Sequence, residues 1–265
     1  MNNDLRIHKL SATPNPQIVS YAAMIQDYSE GNVYDQMWAN YSEYHGFEDP
    51  KNPGSYIGEK EAGERVIRNA FKFGHFGVIE HPHIVVNVIG YPHATMQQLR
   101  THRHLSFDVQ SGRYTGERII KLAEIAERVN LSLTEIKQVE DVFYIRSPGI
   151  YKDRHGHSIE WTKSDRHHAR IDLLSQAKKY ANSVNNGMPY EMARDLYVPY
   201  SVRQNFVASG NLRTWLHVLE MRGTRDAEIE CQIFSDMMLQ ILTEYAPEIV
   251  SYWAEKRYGK NKLAP

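Results

Sequence analysis

Cysteine is almost missing from this chain, with only Cys231 among 265 residues. An internal disulfide is therefore excluded, and a reducing compartment suits the protein. Cys231 falls in an apolar-periodic stretch with no obvious base beside it, the setting of a packed thiol rather than a nucleophile. No run of about 18 apolar residues occurs, so no membrane-spanning helix is expected. The opening MNNDLRIHKL lacks the apolar stretch of a secretory signal, which points to a cytoplasmic protein. An excess of one charge is lacking too, because 31 Lys and Arg stand against 32 Asp and Glu. A general nucleic-acid binder carries a basic surplus, so nucleic acid is not an expected partner. Finally, no G-x-G-x-x-G unit follows a strand, which argues against a Rossmann domain.

What is present reads as a folded chain with a real core. Hydrophobic residues make up 42% and charged residues 24%, a balance that suits one large domain. Apolar spacing predicts helices over 17–27, 59–73, 119–128, 166–182, 190–196, 211–222 and 227–245. Residues 94–104 are helix-permissive, and Ser132 or Thr134 would cap a short helix through 135–139. The β-branched run HIVVNVI over 83–89 is the best strand, and 143–145 reads as another. A hairpin is expected with its turn at 153–157 and a return strand at 158–162. With no internal repeat or low-complexity linker, residues 1–265 read as a single α+β domain. Its expected architecture is a central, mostly antiparallel sheet flanked by several long helices, and the pattern leaves the strand order open.

The densest chemistry lies in residues 97–115, QQLRTHRHLSFDVQSGRYT. Arg100, His102, Arg103 and His104 crowd into five residues, and Ser111-Gly112-Arg113-Tyr114 follows. An arginine fork matches phosphate geometry and keeps its charge at every relevant pH. A serine hydroxyl and glycine backbone N–H groups can join it around the same anion. The pattern suits a ligand with both a phosphate and a polar ring, though a solvated helix end laced with ion pairs uses the same residues. A second informative stretch is GNLRTWLHVLEMR, 210–222. There Leu212, Trp215, Leu216 and Leu219 form one apolar stripe, with Arg213, His217 and Glu220 together on a polar face. Arg222 closes the helix, where a cation also answers the macrodipole.

The first segment resembles the signature of the flavin-dependent thymidylate synthases, in which R-H-R is followed after seven residues by S. His102-Arg103 and Ser111 sit at that spacing, and Gly112-Arg113-Tyr114 continues the match. Thr101 stands where the first arginine belongs, with Arg100 one residue earlier, a shift of about 100° around a helix. Val109, with Gln110 beside it, replaces a frequent Glu or Gln. His75-Phe76-Gly77, Glu80-His81, FYIRSP at 143–148 and Ala193-Arg194 with Pro199 resemble further family elements. Residues 117–142 look like an inserted helical segment, and the first seventy residues match poorly.

The resemblance implies reductive methylation of deoxyuridylate (dUMP) to thymidylate (dTMP). Methylenetetrahydrofolate would supply the carbon, and NADPH the reducing equivalents through bound FAD. By the same resemblance, Gln98, Arg100, Thr101, Val109, Gln110, Ser111, Gly112, Arg113 and Arg194 would hold dUMP. Arg222 would polarise the uracil as the catalytic group. Thr101, His102, Arg103, Asn211, Leu212, Arg213 and His217 would hold FAD, and His75 would lie on the folate side. A homotetramer with sites shared between subunits is implied, and no metal. Two rival readings stand beside it. Glu80, His81, His83 and His104 are adequate ligands for a metal-dependent hydrolase, although no H-E-x-x-H is present. The local basic and aromatic clusters would also suit a non-catalytic binder of nucleotides or RNA.

Overall fold

A computed structural model of the protein describes residues 5–42, 45–49, 52–127, 137–152 and 155–260. Its first half carries β1 (Arg6–Ala12), α1 (Pro16–Tyr28), α2 (Val33–Gln36), β2 (Phe47–Glu48), β3 (Tyr56–Ile57), α3 (Glu59–Asn69), β4 (His83–Pro92), α4 (His93–Leu99) and β5 (Ser106–Val109). Then follow α5 (Glu117–Ala126), α6 (Val139–Val142), β6 (Gly149–Lys152), β7 (Ser158–Trp161), α7 (Lys163–Asn185) and α8 (Tyr190–Tyr197). The last part is β8 (Arg203–Asn211), α9 (Leu212–Arg222), α10 (Ile229–Tyr245) and α11 (Pro247–Arg257).

The expected strand at 83–89 forms and runs on to Pro92, with Ile84, Val86 and Val88 turned inward at period two. It lies inside a four-stranded sheet of order β1-β4-β8-β5. Strand ends meet strand starts: the Thr13 N–H donates to the His83 carbonyl, Leu212 to Pro82, and Gln110 to Asn205. That pattern is antiparallel, as expected. β8 is hidden in the sequence because, of its inward positions Gln204, Phe206, Ala208 and Gly210, only Phe206 is a large apolar side chain. Gly210 near its end is required by packing, since a Cβ there would sit 2.4 Å from Leu105 Cδ2.

The stretch 143–145, expected as a strand, makes only a single bridge from Phe143 to Val202. All three side chains are buried, so the run lacks the in–out alternation of a strand with one wet face. The expected hairpin is found as β6 and β7, paired from Gly149↔Trp161 to Lys152↔Ser158. Of the short helix expected over 135–139, residues 135 and 136 and both cap candidates lie outside the described residues, and the described helix α6 begins only at Val139. α7 starts three residues before the expected 166, where Thr162 and Asp165 cap each other reciprocally. α11, with Pro247 in its first turn, was not anticipated.

Contacts divide the chain into two compact units. The α7 unit comprises Val88–Thr101 and Asp108–Val207, with the chain up to Arg6. Its core joins Ile119, Leu122 and Ala123 of α5 and Val139 and Val142 of α6 to Leu173, Leu174 and Ala177 of α7. The α9 unit comprises Ile7–Asn87, His102–Phe107 and the chain from Ala208 onward. In it, buried Gln17 ties α1 to α3 and α11, donating to the Glu59 carbonyl at 3.1 Å and to the Glu248 carboxylate at 2.7 Å. Among the described residues, no helix is long and apolar enough to cross a membrane.

Candidate active site

In the α9 unit, Asn211 starts α9 by accepting the Thr214 N–H at 2.8 Å, the standard way to satisfy an orphan donor. That cap sets the helix phase. Leu212, Trp215, Leu216 and Leu219 all go inward, as the stripe predicts, while Arg213 and His217 stay exposed. Glu220 departs from its expected place on the polar face. It is only 4% exposed, and Arg257 of α11 donates to it at 3.2 Å, so a buried carboxylate has a counter-charge. The Arg257 guanidinium also lies 5.5 Å from the Phe76 ring centre.

Asn211, Arg213 and His217 line one cavity of about 420 Å³, with Phe76 and Trp253 as aromatic walls and Arg257 as a further cation. Arg213 pairs with Glu80 at 2.5 Å. At the end of α9 the Arg222 Nε donates to His102 Nε2 at 3.0 Å, and the His102 and His217 rings meet edge-on at 5.8 Å. Burial first, then the charges of Arg222 and His217, push the His102 pKa down to about 4. His102 is thus a neutral acceptor at neutral pH. Arg103 is exposed. Leu212 offers no side chain to a ligand, being fully buried with its N–H on the Pro82 carbonyl. His75 is exposed, stacked 5.9 Å from Tyr28 and hydrogen-bonded to its hydroxyl.

In the α7 unit, a second cavity of about 670 Å³ takes in Gly112, Arg194, Gln97 and Arg118. Gly112 allows Arg194 to close in, because a Cβ there would lie 3.3 Å from Arg194 Cδ. Arg194 itself is held by Asp195, with Nε and Nη2 donating to Oδ1 at 2.8 and 2.7 Å. Ser111 begins a turn, its carbonyl accepting the N–H groups of Tyr114 and Thr115. Arg113 and Arg100 are exposed, and Gln98 and Val109 are half-buried. The Thr101 hydroxyl turns back to the Gln98 carbonyl at 2.7 Å, closing the end of α4. Gln110 donates its N–H to Asn205, and its side-chain Oε1 is buried without a partner among the described residues.

Among the described residues, no three His, Cys, Asp or Glu side chains gather in a way that could hold a metal ion. The ligand set of His81, His83 and His104 with Glu80 therefore does not form, and Glu80 is engaged by Arg213. Cys231 is buried, and burial raises its pKa to about 12, so the thiol is protonated at neutral pH. Sequence reasoning missed Arg118 and Arg257. Arg118 is the lone arginine of an amphipathic helix and Arg257 ends a helix that the sequence pattern does not announce, so only tertiary packing reveals which cavity each borders.

The family model of the thymidylate synthase complementing protein matches residues 10–248. The chain belongs to this family, that of the flavin-dependent thymidylate synthases. The flavin-dependent thymidylate synthase of Haloarcula marismortui is 28% identical over 97% of this chain and 98% of its own. That of Halobacterium salinarum is also 28% identical, over 98% and 100%. Among solved structures, thymidylate synthase X from Helicobacter pylori, with FAD and dUMP, superposes with a TM-score of 0.62. It shares 16% identity, over 94% of this chain and 98% of that one. The UMP/dUMP methylase PolB from Streptomyces cacaoi, bound with 5-Br UMP, gives 0.65 at 16% identity, over 95% and 94%. These likenesses fix the fold as that of the family, antiparallel and without a Rossmann unit.

Proposed function

We propose that this family member converts dUMP to dTMP by reductive methylation, with methylenetetrahydrofolate as carbon donor and NADPH as reductant through bound FAD. The observation that carries the reading is the cavity at α9. Three residues matching the family's FAD positions, Asn211, Arg213 and His217, border it together although Asn211 lies outside the helix proper. Its donors are suited to FAD, because guanidinium and imidazole groups answer the pyrophosphate while Phe76 and Trp253 offer flat apolar walls. At about 420 Å³ it has room for part of a dinucleotide, which supports a homotetramer in which other subunits complete the site. When bound, FAD would carry reducing equivalents from NADPH to the one-carbon unit.

The residues of the chain have the following roles in this reading. Arg194, Arg113, Ser111 and Gly112 take the dUMP phosphate, and Gln98 the nucleoside, with Arg100, Thr101, Val109 and Gln110 bordering it. Arg222 polarises the uracil, since a cation beside the ring stabilises its anionic form and enriches C5 in electrons. The neutral His102 orients that guanidinium without cancelling its charge, which a carboxylate in the same place would do. His102, Arg103, Asn211, Arg213 and His217 hold FAD, with Leu212 contributing through the start of its helix and His75 on the folate side. A cytoplasmic location fits the single reduced cysteine.

The test is the visible spectrum of the purified protein, followed by anaerobic NADPH with and without dUMP. Flavin bands that bleach faster when dUMP is present are expected. A colourless protein that takes up no FAD and oxidises no NADPH would end this reading.

A further inference from the structure

Arg118 is the cation that the motifs do not account for. It belongs to α5, the helix that opens the inserted segment, and it borders the α7-unit cavity together with Arg194 and Gly112. The Arg118 side chain is half-buried. Its Nη2 donates to the Arg203 main-chain carbonyl at 2.5 Å, while its Nε is buried with no partner among the described residues. Among the described residues no carboxylate pairs with it. The one acid among the described residues of the cavity wall, Asp195, is engaged by Arg194. Burial accordingly lowers the Arg118 pKa, with no neighbouring charge to offset it.

Two costs meet at this residue. A guanidinium removed from water and left without a counter-ion is unfavourable. Arg118 also lies in the first turn of its own helix, where the positive end of the macrodipole disfavours a cation. A bound anion relieves both at once. The placement is held firmly in spite of them. Ile119, Leu122 and Ala123 bury α5 against α7, and Glu140 of α6 accepts from Arg166 Nη2 at 2.5 Å and Arg170 Nε at 2.6 Å. Gly116, just before α5, lets Tyr180 close under this turn, since a Cβ there would lie 2.3 Å from the Tyr180 hydroxyl.

We propose that Arg118 is a further phosphate-binding residue, delivered by the inserted segment to the cavity of Arg194 and Gly112, where it takes the monoester phosphate of the nucleotide substrate. The dianion then meets two guanidiniums, a match of charge and of hydrogen-bonding geometry. The assignment rests on reading this cavity as the dUMP site. It gives the inserted helices a purpose, namely to hold one cation in the substrate cavity.

The experiment compares wild type, Arg118→Gln and Arg118→Lys by calorimetric titration with dUMP and with deoxyuridine, and by melting temperature with and without inorganic phosphate. Glutamine keeps a donor for the Arg203 carbonyl and removes the charge. Arg118→Gln is expected to weaken dUMP binding by about 10- to 100-fold, the loss of one charge-assisted contact. Deoxyuridine binding should not change, and Arg118→Lys should recover part of the loss. Without ligand, Arg118→Gln should melt at the wild-type temperature or above it, and phosphate should raise its melting point less than that of wild type. Equal weakening of dUMP and deoxyuridine, or a fall in the unliganded melting temperature with dUMP affinity intact, would make Arg118 a structural prop and overturn the proposal. If wild type itself binds no dUMP, the reading of the cavity fails, and the assignment of Arg118 falls with it.

Discussion

His102 shows what one side chain contributes at the residue scale. Its pKa of about 4 in the fold lies below the ordinary histidine value near 6.5. Between those two values the unfolded chain binds a proton that the folded chain refuses, so stability must fall as pH drops from about 6.5 toward 4. The contribution is complete above the upper value. Melting temperatures measured across that range should decline in wild type and decline less steeply in His102→Gln; parallel curves would show that His102 is not responsible. The motif made this histidine legible as a ligand-site residue, but not its neutrality, which comes from burial and from Arg222 some 120 positions away in sequence. Thr101 was legible only as a departure. Its hydroxyl is spent on closing α4, while Arg100 is exposed. Arg118 carried no signal at all, because nothing in a lone arginine on an amphipathic helix tells whether a carboxylate will meet it.

Among the elements, the inserted segment is the one whose stability hangs on a single carboxylate. Glu140 receives both Arg166 and Arg170, and its side chain is only 14% exposed. Replacing it with alanine leaves two partly buried guanidiniums without a partner and should cost about 3 kcal/mol. The urea midpoint should then move down with an unchanged slope, and an unmoved midpoint would mean that the apolar contacts alone hold α5 and α6 to α7. Helices of this kind were readable to within a few residues, because apolar stripes such as Leu212, Trp215, Leu216 and Leu219 persist for several turns. The strands were less so. β4 declared itself through its β-branched run, whereas β8 spells RQNFVASGN and owes its conformation to the strands on either side of it. At 143–145 the same logic misled in the opposite direction, since consecutive burial imitates a strand without needing partners.

For the whole molecule, the homotetramer is the assembly to test. Light scattering on the eluting protein should give the mass of four chains, and flavin content should follow the tetramer on dilution. A monomer with full flavin occupancy would show that one chain completes the cofactor site unaided. Whatever the stoichiometry, the sheet restricts how copies can join. Among the described residues, its order leaves β1 and β5 with one unpaired side each, and such a row of free N–H and C=O groups is a template on which another chain can crystallise its own strand. β1 exposes Arg6, His8 and Lys9, with Ile7 its one buried side chain, and β5 spans four residues with Asp108 facing out. The charged side chains on β1 and the shortness of β5 are the features that discourage such growth. This protein should accordingly stay clear of ribbon-like aggregates at the concentrations where its sites are saturated.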